Sequence, residues 1–299
     1  MSTSKQGFVH PECVAETGWL AQHLGDAGLR ILDCTTNLIP DPKVVYHVVP
    51  ARAEFEQGHI PGAQFVDVPG ELSDTSQKFR FMPPSPEAFA AAMGRLGVGE
   101  GTHVICYSTG AMWWATRVWW MLRTFGFDSA AVLNGGWQKW GREERPVETG
   151  PARQVAPARF IVRERRPLMV GREAVERAIG DASVCTLNAL SAQQHAGTGG
   201  TVYGRPGYGR AGRIAGSVNV PAAQLLDPAT NTLLPASALR QKFEAIGAFD
   251  KRVITYCGGG ISATTDALAL VMLGHPDVAV YDASMAEWAN DPALPMETG

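Results

Sequence analysis

Cysteine is scarce in this chain of 299 residues, and no two of its five cysteines form a C-x-x-C pair. Cys13, Cys34, Cys106, Cys185 and Cys257 are odd in number, which argues against a disulfide framework and against a cysteine zinc site. Long apolar runs are missing too. The stretch AMWWATRVWWML is interrupted by Arg117, and no run reaches the roughly 20 residues that cross a bilayer. Basic charge is not in excess: a net charge of −3 offers no electrostatic footprint for nucleic acid and no polybasic membrane patch. The opening MSTSKQGFVHPEC has no apolar signal-peptide core. Together these absences predict a cytoplasmic protein that works on small molecules, with no metal, cofactor, nucleic-acid or membrane partner.

What the chain has is self-similarity. VICYS at 104–108 matches VITYC at 253–257, and AVLNGGWQKW at 131–140 answers AVYDASMAEW at 279–288. Upstream, GHIPGAQFVDVP at 58–69 answers GRIAGSVNVP at 212–221. A repeat on this scale is a tandem duplication. Each half alternates short β-branched runs with amphipathic stretches such as PEAFAAAMGRLG and SALRQKFEAIG. That alternation predicts an α/β fold with two tandem domains, each a mostly parallel sheet flanked by helices. The expected division is a non-catalytic domain over 1–145, an exposed linker over 146–158 and a catalytic domain over 159–299. The linker assignment rests on the charge, proline and alanine of REERPVETGPARQVAPAR.

The stretch VITYCGGGISATTDAL places Cys257 where a strand-like run gives way to a helix-like one. Gly258, Gly259 and Gly260 let the backbone curl so that N–H groups converge on one point. The helix start adds partial positive charge, and the pair of effects stabilises a thiolate. In an open parallel sheet this is also where ligands bind, beyond the carboxyl ends of the strands. Cys34, Cys106 and Cys185 instead lie inside apolar runs and read as core residues. The first half has Ser108 at the place of Cys257, in a loop, STGAMWW, that reads as one residue longer. No histidine adjoins it in sequence to activate it.

These motifs, with RVWWMLRTFG at 117–126, LNGGWQKW, GSVNVP and the loop CGGGISA at 257–263, resemble the tandem rhodanese family of thiosulfate and 3-mercaptopyruvate sulfurtransferases. The resemblance spans nearly the whole chain. It implies that Cys257 takes sulfur from a small anionic donor, holds it as a persulfide and passes it to a thiol or cyanide-like acceptor, a thioredoxin-type protein among the candidates. It implies that the backbone amides of Gly258, Gly259, Gly260, Ile261, Ser262 and Ala263 cradle the sulfur anion, with Ser262 as a possible helix cap. The neutral loop resembles the mercaptopyruvate branch. Two departures stand out: where that branch has D-[AS]-R this chain has Asn188, Ala189 and Leu190, and Gly259 replaces a loop serine. Arg205, Arg210 and Arg213, in YGRPGYGRAGRIAG, are candidates to replace the lost guanidinium groups, and His59 is a candidate acid or base. A phosphatase of the C-x5-R type is excluded because Ala263 stands where the arginine would be. The alternative function is a non-catalytic or sulfur-carrier module that docks a partner protein.

Overall fold

The computed structural model describes residues 6–41, 43, 45–199, 201, 202, 205, 206 and 208–299, with the side chains at 45, 201, 202, 205 and 206 outside the description. Valine and isoleucine runs form two five-stranded parallel sheets. In the first half the strands are β1 (Val14–Ala15), β2 (Leu29–Asp33), β3 (Gln64–Phe65), β4 (His103–Tyr107) and β5 (Ala130–Leu133), in the spatial order β1-β5-β4-β2-β3. In the second they are β6 (Met169–Val170), β7 (Val184–Asn188), β8 (Val218–Asn219), β9 (Arg252–Tyr256) and β10 (Val278–Tyr281). Read from the β6 edge, their order is β6-β10-β9-β7-β8, the same topology repeated. The duplication seen in the sequence is therefore a duplication of architecture. The central strands are buried on both faces, as parallel strands covered by helices must be, which explains their continuous apolar character.

Two helices join the halves. The helix α1 (Trp113–Thr124) follows β4, and α2 (Ala263–Met272) follows β9. Every residue of α2 and the run Trp114–Leu122 of α1 are buried. A helix that is apolar all round belongs between layers, and these two pack against each other across the domain boundary. Thr116 Oγ1 lies 2.7 Å from Thr264 Oγ1 and 3.1 Å from Thr265 Oγ1, so these three hydroxyls of the seam satisfy one another.

The segment between the halves has no buried residue over 146–158, yet it does not hang free. It runs extended along the first domain: the Ala158 amide donates to the Gly94 carbonyl at 2.9 Å, and the Arg163 amide to the Phe125 carbonyl at 3.1 Å. Phe160 is buried against Phe89 and Phe127. The scattered apolar residues that do this show no periodicity, because an extended strap buries side chains one at a time.

Candidate active site

Cys257 is the first residue past β9, at the carboxyl edge of the second sheet. Its loop is held from below by Ser284. The Ser284 hydroxyl accepts hydrogen bonds from the amides of Cys257 at 3.1 Å and Gly260 at 3.2 Å, and donates to the Tyr281 carbonyl at 2.7 Å. Ser284 is itself in the left-handed region, at φ 52°, a position that costs free energy for a residue with a side chain. The carbonyls of Cys257 and Gly258 are tied in turn to the amides of Met285 and Ala286. With the Gly260 amide spent on Ser284, the amides of Gly258, Gly259, Ile261 and Ser262 have no hydrogen-bond partner among the described residues. Four unspent N–H donors thus follow Cys257 at the start of a ten-residue helix, where the helix terminus also favours negative charge.

Two of the three glycines are dictated by space. A Cβ on Gly258 would overlap the ring of Tyr208, which lies directly on the loop. Gly260 has φ +73°, and a Cβ there would come within 2.5 Å of the Asp282 carbonyl oxygen. Gly259 has no such constraint, its nearest neighbour being Phe81 at 3.6 Å.

A residue of the first domain also grips this loop. Arg117, on α1 and fully buried, forms an ion pair with Asp282 and donates to the Gly260 carbonyl at 3.2 Å and to the Phe81 carbonyl. Its fork thus joins the cysteine loop, the end of β10 and a wall of the cleft. Phe81 is left-handed too, at φ 67°, and the bond to Arg117 helps to hold it there. Neither Ser284 nor Arg117 stands out in the sequence. The one available signal for Ser284 was its place in AVYDASMAEW, facing a glycine in the repeat.

Above the loop is a cavity of about 420 Å³ between the domains. Cys257, Gly258, Gly259, Ile261 and Ser262 line its floor, and the first domain contributes Leu38, Tyr46, Phe81, Trp113 and Trp114. The stretch Ala189–Gln194, where the mercaptopyruvate branch would carry arginine, forms another wall, and Tyr208 closes the side next to the thiol. Gly260 and Ala263 do not line it. Burial next to Tyr46 and Cys257 raises the phenol of Tyr208 above its ordinary range, and burial raises that of Tyr46.

Several expected residues are elsewhere. Arg210 donates to the carbonyls of Trp288, Ala289, Asp291 and Leu294, pinning the chain terminus rather than reaching the cavity. Arg213 is paired with Glu297 and the Gly299 carbonyl. The side chain of Arg205 lies outside the described residues. His59 is buried in the first domain, stacked on Phe55 and bonded through Nδ1 to the Phe55 carbonyl at 2.8 Å, which makes it a core histidine and not a cleft acid or base. Ser262 makes no side-chain cap bond to α2. The four remaining cysteines are buried, and burial pushes the thiols of Cys34 and Cys185 up.

Comparison with known proteins agrees with this arrangement. The family model of the rhodanese-like domain matches residues 16–143 and 202–291. The chain is 32% identical over 307 residues to thiosulfate/3-mercaptopyruvate sulfurtransferase 2 of Arabidopsis thaliana, covering 95% of this chain and 86% of the relative. It is 33% identical over 288 residues to the 3-mercaptopyruvate sulfurtransferase of Escherichia coli (strain K12), covering 93% and 95%. The crystal structure of SseA from Escherichia coli, a 3-mercaptopyruvate enzyme of rhodanese fold, superposes with a TM-score of 0.76 at 31% identity, over 91% of this chain and 98% of that one.

Proposed function

The chain belongs to the rhodanese family, and from that premise we propose that it is a sulfurtransferase moving sulfane sulfur from a small anionic donor, of the thiosulfate or 3-mercaptopyruvate kind, to a thiophilic acceptor through a persulfide on Cys257. The observation that carries the reading is the thiol of Cys257 in a loop with four unspent amides, opening on an interdomain cavity. With thiosulfate, the Cys257 thiolate attacks the outer sulfur, the sulfur–sulfur bond of the donor breaks, and its electron pair leaves with sulfite. Cys257 then carries one extra sulfur and the negative charge on it. The free amides of Gly258, Gly259, Ile261 and Ser262 hold that charge before and after transfer. Cyanide or a thiolate attacks the outer sulfur, and the electron pair returns to Cys257 as thiolate.

Arg210 and Arg213 are occupied elsewhere, which among the described residues leaves the donor's charge to the loop amides and the amino end of α2. No helix among the described residues is long and apolar enough to cross a membrane. The five free cysteines support a cytoplasmic setting, where thiols stay reduced. Initial rates with thiosulfate and cyanide, each varied at several fixed levels of the other, test the covalent step. Parallel double-reciprocal lines are expected of a ping-pong cycle; intersecting lines would mean that both substrates bind together and that no persulfide forms on the path.

A further inference from the structure

The cavity is far larger than a donor of a few atoms needs, and above the loop amides its chemistry is unlike that of an anion site. Among its described lining residues there is no arginine, lysine, histidine, aspartate or glutamate. Four aromatic side chains of the first domain, Tyr46, Phe81, Trp113 and Trp114, face the Cys257 loop, and a fifth, Tyr208, lies on the backbone of Gly258. Phe81 and Trp114 pack edge to face at 5.3 Å, so this wall is preorganised. The hydroxyls of Tyr46 and Tyr208 and the indole N–H of Trp113 have no hydrogen-bond partner among the described residues, which leaves neutral polar groups beside the apolar surface. Once the loop amides are taken by the persulfide anion, such a box rewards buried ring area and penalises a second charge, which would lose its water and find no counter-ion among the described lining residues.

We propose that the acceptor is a small thiol that carries an aromatic or similarly bulky apolar group and no charge beyond its reacting sulfur, and that Tyr46, Trp113 and Tyr208 select it. This rests on the persulfide reading above and names what discharges it. The acceptor thiol attacks the outer sulfur of the Cys257 persulfide and forms a new sulfur–sulfur bond. The old one breaks, its electron pair stays on Cys257 as thiolate, and the proton of the thiol ends on the product hydropersulfide, so charge and atoms balance.

The test loads the protein with thiosulfate, removes the excess, verifies the extra sulfur by intact mass, and follows single-turnover discharge by benzyl mercaptan, 2-mercaptoethanol and mercaptoacetate. Benzyl mercaptan is expected to discharge the persulfide at least about 10-fold faster than 2-mercaptoethanol at equal low concentration. Mercaptoacetate should be the slowest of the three. In Trp113→Leu, and separately in Tyr46→Leu, each shown by mass to load, the ratio of benzyl mercaptan to 2-mercaptoethanol should fall to about threefold or less. Equal rates for the three thiols, fastest discharge by mercaptoacetate, or a ratio unchanged in both variants would overturn the proposal. Failure of the wild-type protein to load from either thiosulfate or 3-mercaptopyruvate would be seen in the mass before any acceptor is added, and would overturn the sulfur-transfer reading itself.

Discussion

The loop after β4 and the loop after β9 occupy the same place in two copies of one fold, yet they are built to different ends. In the second, Cys257 stands six residues before α2; in the first, Ser108 stands five residues before α1, so the first loop is the shorter and not the longer as the sequence reads. Beneath the second loop Ser284, at φ 52°, gathers two amides on its hydroxyl; at the matching place in the first copy is Gly136, at φ 54°, with no hydroxyl to offer. Asp282 ties the second loop to Arg117, whereas its counterpart Asn134 bonds to Glu16 and to the Leu233 amide. Ser108 spends its hydroxyl on the Ala111 carbonyl. The comparison teaches that the backbone turn was duplicated, while the Ser284 and Asp282 supports beneath it exist in one copy. The first domain serves the site from across the seam, through Arg117 and the aromatic wall.

The sharpest way to break this asymmetry is to disturb the turn at its tightest point. Gly260→Ala forces a side chain into the Asp282 carbonyl from a left-handed φ, and donor-dependent turnover should fall by at least about 100-fold, as a loop displaced by an ångström would cost; near-normal initial rates would show that the cradle tolerates distortion. Next in size is Arg117→Met, which leaves Asp282 buried without its cation. Urea unfolding should show a loss of about 3–5 kcal/mol, and turnover should fall with it, because the fork also holds Gly260 and Phe81. Unchanged stability would mean that the seam does not depend on this pair.

The two seam helices differ in the same way. Arg117 on α1 has partners, but Asp266 on α2 is fully buried and both of its carboxylate oxygens lack one among the described residues. Burial holds its carboxyl well above the usual range, so the folded state keeps a proton that the unfolded chain gives up as pH rises past about 4. The folded form is therefore penalised increasingly from that pH upward, and stability falls. Asp266→Asn removes the proton linkage. Its melting temperature should exceed that of the wild type at pH 8, with the gap closing toward pH 4; a gap that widens on acidification would contradict the sign. The smallest effect is expected of Ser108→Ala, which should leave turnover within about threefold, at a stability cost of about 1 kcal/mol for the lost hydrogen bond.

The duplicated α/β architecture was legible because strand runs such as VICYS and VITYC and their paired tryptophans repeat in register. Cys257 and its glycines were legible because strand, glycine loop and helix follow one another in the chain. The rest depended on partners distant in sequence. Arg117 and Asp282 meet across the seam, and Ser284 reaches its loop from the far end of β10, so no local pattern announces either. Arg210 and Arg213 misled for the converse reason. Glycine-flanked arginines look free in sequence, but the chain terminus returns alongside them and supplies carbonyls and Glu297. His59 looked reactive in GHIPG, yet the helix before it, Arg52–Gln57, brings Phe55 and its carbonyl to the ring.

The central claim, that one of two matched loops is armed, is tested most directly by locating the transferred sulfur. The wild-type protein and a Ser108→Cys variant are incubated with thiosulfate, freed of excess and digested, and each cysteine peptide is weighed. The account predicts one added sulfur on Cys257 in both proteins and none on Cys13, Cys34, Cys106, Cys185 or the new residue at position 108. Sulfur on the new cysteine at a level comparable to Cys257 would contradict it, because the first loop would then be a working cradle that lacks only its thiol.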